Sequence, residues 1–194
     1  MSRPTFLPDP PPGPAVTAAY DEDVASDGYV NNLTRVWCWR PDVSASFQAV
    51  RAELLGDSGL SAREVAVLVA ATAAARGDAY CALAWGARLA DLSDEATAAD
   101  VLGGADGELS GREAALAGWA RQVVRDPNAT TEDDVRGLRE AGLSDREIFE
   151  ATTLVAFRLA FSTVNDALGA RPDQQLAERV PPLVRDAVTF GRPV

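Results

Sequence analysis

Two stretches of this 194-residue chain are apolar on nearly every helical face, and they decide what kind of fold can contain them. The first spans Ala62–Arg76 and reads Val-Ala-Val-Leu-Val-Ala-Ala-Thr-Ala-Ala-Ala from Val65; the second, 151–168, is dominated by Leu, Val, Ala and Phe. A helix without a wide polar face has to be covered on several sides, so each is a central helix of a bundle or part of a subunit contact. Alanine accounts for 36 of the 194 residues and aromatics for only 7%. Alanine has the best helix propensity and lets helix axes approach closely. No segment shows sustained period-2 alternation with β-branched enrichment. The reading is all-α, one helical domain over residues 15–194, with no significant β-sheet. Residues 1–14 contain six prolines and are expected to form an extended arm, disordered or draped over a neighbouring surface.

Periodicity and caps place helices at 15–26, 29–39, 42–55, 62–76, 79–92, 95–102, 111–125, 132–141 and 145–168, with a short one near 182–190. Three starts repeat one pattern, Leu-Ser-x-Arg-Glu, at Leu60, Leu109 and Leu143. In each, Ser is the N-cap, Glu three residues on closes a capping box, and the preceding Leu can staple the turn. Thr131 with Asp134 is a weaker case. Intervals of 49 and 34 residues are too unequal for a solenoid. The pattern reads as three good helix starts or as a helical unit used more than once.

The charge excludes several function classes. All 18 basic residues are arginine; with 29 acidic residues the formal charge is −11. With no histidine and no lysine, a histidine base, metal ligand or triad and a Schiff-base lysine are all ruled out. The acidity argues against nucleic acid and against anionic membranes as partners. The N-terminus has no basic start followed by an apolar core, so no signal peptide is read and a cytoplasmic protein is expected. Cys38 and Cys81 lie 43 residues apart and form no metal-binding pair. No metal and no cofactor are called for.

The segment that could carry chemistry is Gly77-Asp78-Ala79-Tyr80-Cys81-Ala82-Leu83-Ala84-Trp85-Gly86-Ala87-Arg88-Leu89. It is a turn glycine, an acidic N-cap, and a helix whose first turn holds a cysteine. A helix N-terminus can lower a thiol pKa, whereas a nearby Asp78 carboxylate opposes that. Trp85 falls on the same face one turn on, and Arg88 two turns down. Arg158 lies inside the second apolar stretch. It reads either as a carboxylate-paired structural bridge, with Asn165 and Asp166 two turns along, or as the lining of a polar pocket.

An apolar helix, a glycine turn and Tyr-Cys opening the next helix resemble the alkyl hydroperoxidase D (AhpD)-like and carboxymuconolactone decarboxylase superfamily. The downstream order is similar to its peroxidase-related branch: Leu109-Ser110-x-Arg112-Glu113, the Arg125-Asp126-Pro127 turn, Thr131, 141–148, then Asn165 before Leu168-Gly169. The likeness covers about residues 15–172 and implies an AhpD-like helical bundle. It further implies thiol-dependent peroxidase activity, with Cys81 as catalytic residue, and a homo-oligomer, trimer or hexamer. Redox-active members carry Cys-x-x-Cys, a histidine four residues on, and a glutamate on the preceding helix. Here Asp78 stands for the partner cysteine and Trp85 for the histidine; Ala66 falls at the glutamate position, and Glu64 nearby is committed to its capping box.

That loss leaves three readings open. Cys81 reacts alone and an external thiol resolves it. Alternatively, an apolar pocket remodelled around Trp85, with Asp78, Tyr80 and Arg88 as polar contacts, binds a small molecule, either as a non-redox enzyme or as a binding protein. In the third, the chain is a catalytically silent structural or regulatory oligomer. Trp37 and Trp39 flank Cys38 and read as packing at an interface or as a cofactor box. In the peroxidase-related branch, a stretch similar to Tyr29-Val30-Asn31-Asn32-Leu33 precedes a helix covering the active-site region.

Overall fold

In the computed structural model, which describes residues 4–194, every regular element is helical. The order is α1 (Pro14–Asp27), α2 (Asn32–Trp37), α3 (Pro41–Gly56), α4 (Ala62–Arg76), α5 (Ala79–Leu92) and α6 (Glu95–Leu102). There follow α7 (Gly111–Arg125), a 3-10 turn at Pro127–Ala129, α8 (Glu132–Glu140), α9 (Asp145–Ala167), α10 (Gln174–Arg179) and α11 (Pro182–Ala187). The all-α reading stands, and α4, α5, α6 and α7 begin and end where the caps put them. α2 is shorter than expected because Gly28 takes a left-handed φ of 85° and Asn31 stays extended, its N–H donating to Asp23. The helix α10 has no side-chain cap and was not signalled.

α4 is the axis of the bundle, packed against α5, α6, α7 and α9. Ala66 through Ala71 are all at most 1% exposed, as a helix without a polar face requires. α9 behaves differently. Ile148, Ala151, Leu154, Val155, Arg158, Phe161, Ser162 and Asn165 recur at helical spacing on a buried face, while Phe149, Ala156 and Ala160 are exposed. Its apolar content exceeds what the core absorbs.

The repeated Leu-Ser-x-Arg-Glu segments meet at one end of the bundle. All three Ser–Glu capping boxes form, as does the one of Thr131 with Asp134. The arginine of one segment pairs with the glutamate of another: Arg63 Nε reaches Glu113 at 2.6 Å, and Arg112 reaches Glu64 at 2.5 Å and Glu147 at 2.6 Å. Each glutamate therefore accepts from its own helix start and from a neighbour's guanidinium. The repeat is a set of caps that also fastens α4, α7 and α9 together.

The proline-rich arm is draped over its own chain. Phe6 N–H donates to Leu168 O, Arg171 N–H to Pro4 O, and Asp9 pairs with Arg35 at 3.0 Å. Residues 1–3 of the expected arm lie outside the described residues. No helix among the described residues is long and apolar enough to cross a membrane.

Candidate functional site

Cys81 sits in the first turn of α5 because two backbone devices set that turn. Gly77, at φ 76°, ends α4 with its N–H on Ala73 O and Ala74 O, and Asp78 then caps α5, its Oδ1 accepting from Cys81 N–H at 3.0 Å. The C-terminal tail crosses the same corner. Gly191, at φ 72°, comes so close that a Cβ there would stand 2.6 Å from Gly77 O. The start of the cysteine helix is thereby held from both sides.

The thiol is buried, 3% exposed, and faces α9. Arg158 Nη2 donates to Cys81 Sγ at 2.8 Å, and Ser162 Oγ is 4.0 Å from the same sulfur. Burial pushes the thiol up to about 12; Arg158 opposes this, Asp78 adds to it as a neighbouring carboxylate, and Ser162 lowers it slightly. In this packing Cys81 is a protonated thiol at neutral pH, with a guanidinium waiting beside it.

Arg158 corrects the expectation of a carboxylate bridge. Among the described residues no carboxylate is within ion-pair distance of it, and its Nε is buried without a partner. Asn165 is occupied elsewhere, accepting from Trp37 Nε1 at 2.8 Å. Asp166 is raised to about 6, by burial and by Asp78, and the arginines that oppose this are Arg76 and Arg192. The Arg158 guanidinium lies instead over two rings, 5.0 Å from the Phe161 centroid and 5.5 Å from that of Trp85. Positions 154 and 162, one turn either side of Arg158, are Leu and Ser, so the sequence places no carboxylate within one turn of it.

The other sequence candidates separate. Trp85 is half-buried and belongs to the Cys81 cluster. Tyr80 is buried but turns away; its hydroxyl donates to Asp173 Oδ2, while Asp173 Oδ1 accepts from Asn32 N–H, so it ties α5 to the starts of α2 and α10. Asp78 is fully buried with Oδ2 unpartnered. Arg88 is exposed and is not among the groups contacting Cys81, Arg158 or Trp85. A pocket built from all four residues is therefore not what the structure brings together. Sequence reasoning missed Arg51 on α3, whose guanidinium lies 5.8 Å from the Trp85 centroid, with Nε buried and unpartnered.

A cavity of about 620 Å³ lies beside this cluster, and Trp85 is not among the residues that line it. α1 walls it with Ala15 and Ala18, α2 with Leu33 and Trp37, α3 with Ala45, and Phe161 reaches it from α9, with Cys38 at the end of α2. Trp37 stacks on Phe161 at 5.1 Å and 13°, and Phe47 packs on both. Phe161 thus both lines the cavity and lies 5.0 Å from the Arg158 guanidinium. The paired tryptophans diverge: Trp37 is an inner wall, whereas Trp39 is 41% exposed and donates to Pro8 O. Cys38 and Cys81 are both free thiols.

No protein-family model matches the sequence, and no curated protein matches it. Solved structures do. The AhpD core of an uncharacterized peroxidase-related protein from Ralstonia eutropha JMP134 superposes with TM-score 0.80 at 25% identity, covering 91% of this chain and 96% of that one. A peroxidase-related protein from Silicibacter sp. TM1040 gives 0.80 at 22% identity, over 90% and 95%. The debrominase Bmp8 gives 0.71 at 11% identity, over 90% and 92%. The fold is the AhpD-like helical fold that these peroxidase-related structures share.

Proposed function

We propose that the chain is a single-cysteine, thiol-dependent peroxidase of the AhpD-like type, in which Arg158 takes over the electrostatic part of the missing relay. The observation that carries this is the 2.8 Å contact from Arg158 Nη2 to Cys81 Sγ, made by a buried guanidinium that pairs with no carboxylate among the described residues. A charge-assisted donor stabilises a thiolate more than a thiol, and it continues to stabilise the anion as sulfur attacks oxygen. The thiolate attacks the terminal oxygen of a hydroperoxide; the O–O bond breaks, the alkoxide takes a proton from water, and Cys81 becomes a sulfenic acid. One external thiol condenses with it, releasing water, and a second reduces the mixed disulfide. Since burial sets the thiol near 12 in the closed packing, turnover is expected to be slow at neutrality and to climb with pH up to the alkaline limit of the fold.

Peroxide consumption with a small dithiol as reductant tests the reading. Cys81→Ser abolishes it and Cys38→Ser leaves it intact; wild-type protein that consumes no peroxide at pH 9, or a Cys81→Ser variant as active as wild type, overturns it.

The 620 Å³ cavity favours a second reading, an apolar small molecule held between α1–α3 and Phe161. Bmp8, in a cysteine-to-alanine variant, was solved with 2,3,4-tribromopyrrole, so a protein of this fold can seat a ring. Substituting Ala45 with Phe would fill the cavity; an unchanged affinity for an apolar ring compound would exclude it as the binding place.

A further inference from the structure

Two guanidinium groups from different helices converge on one indole with no carboxylate to balance them. Arg158 on α9 and Arg51 on α3 lie 5.5 and 5.8 Å from the Trp85 centroid. Arg158 is 7% exposed, its Nη2 engages only a thiol, and its Nε has no partner. Arg51 is half-buried; its Nη1 donates to the neutral amide of Gln48 at 3.3 Å, and its Nε is likewise buried and unpartnered. Neither pairs with any Asp or Glu among the described residues. The two cations also act on each other: Arg51 is lowered from its ordinary value by burial first and by Arg158 second, with Cys81 opposing.

Uncompensated buried charge is costly, and in a chain with 29 acidic residues a counter-ion would be easy to place. Guanidinium forks suit a carboxylate or another planar oxyanion, and an indole within 6 Å of both suits a flat, apolar body. We infer that Arg51, Arg158 and Trp85 form a receptor for a small planar anion, an aromatic carboxylate or its like, seated against Cys81. This deepens the reading of Cys81 as the reacting atom by giving its substrate a charge. Binding itself requires no thiol chemistry.

Benzoate and benzamide have the same shape and differ in charge, which makes them the probes of choice in calorimetric titration of the intact protein. Benzoate is expected to bind, with benzamide weaker by about tenfold or more, the ratio a charged hydrogen bond supplies. Arg51→Gln should lose about tenfold in benzoate affinity and Arg51→Lys less. Arg51 is partly exposed at the bundle's edge, so far-UV dichroism and melting of Arg51→Gln should match wild type. Equal affinity for both probes, benzoate binding untouched in Arg51→Gln, or no benzoate binding at all overturns the inference. Benzoate binding with inactive Cys81 would leave the receptor standing and remove the peroxidase; peroxide turnover without benzoate binding would do the reverse.

Discussion

At the residue scale the site is governed by the opposition between burial and Arg158 at one sulfur. Desolvation raises the Cys81 thiol and the guanidinium draws it back, so removing the cation should leave desolvation opposed by Ser162 alone. Arg158→Met keeps the length of the side chain and its packing against Trp85 and Phe161. Iodoacetamide labelling of Cys81, followed by peptide mass spectrometry at pH 9, is expected to slow about tenfold in that variant. Labelling as fast as in wild type would show that Arg158 only fills space. Cys81 itself was legible in the sequence, because a cysteine after a glycine turn and an acidic cap has a distinctive position. Its partner was not. Arg51 sits on a helix whose residues are nowhere fully buried, and Arg158 is 107 positions away from it; only the packing of α3 on α9 brings both to Trp85.

Among the elements, the junction of the three repeated helix starts carries the most testable energetics. Arg112 serves Glu64, Glu147 and the Gly142 carbonyl at once, with its side chain 25% exposed. Truncating it takes the guanidinium from two carboxylates, which keep their capping bonds, and from one carbonyl. Arg112→Ala is expected to cost about 2 kcal/mol, below the fully buried case, and to lower Tm by about 4–8 °C. An unchanged melting temperature would mean that the capping boxes alone set these helix starts. The same junction gives a pH dependence. The Ser144 backbone N–H first, then its hydroxyl and Arg112, hold Glu147 down to about 2 from an ordinary 4.5. Because the folded value is depressed, the stabilisation is complete above the unfolded value and is lost as pH falls from about 4.5 toward 2. Chemical denaturation across that window should show a shallower acid loss in Glu147→Gln than in wild type; parallel curves would refute the assignment. Each capping box could be read from local spacing, since both partners lie within four residues. Which arginine meets which glutamate is set by helices 35 to 50 positions apart, and spacing holds no record of it.

For the molecule as a whole, one expectation from the resemblance, assembly into a trimer or hexamer, has a physical location to be tested. α3 has no fully buried residue although it carries Val43, Phe47, Val50, Leu54 and Leu55. Val43 and Val50, two turns apart, are 43% and 44% exposed, and Phe149 on α9 is 68% exposed beside Val50 in the same groove. The two near-continuous apolar stretches of the sequence invited either a core or a subunit contact, and the structure divides them: α4 is core, while α9 presents a second apolar flank beside α3. Large aliphatic and aromatic side chains gathered on one such face favour association, because covering them removes apolar area from water. We propose that this α3–α9 face is the subunit contact. Light scattering of the eluting wild-type protein should give three or six times 20.5 kDa, and Phe149→Asp should shift it toward a single chain without loss of helical signal. A monomeric wild type, or a Phe149→Asp variant with unchanged mass, would remove the face from consideration. The outcome bears directly on the site. Arg51 rises from the same helix as Val43 and Val50, so an assembly closing over α3 would further desolvate the arginine pair at Trp85 and strengthen its demand for an anion.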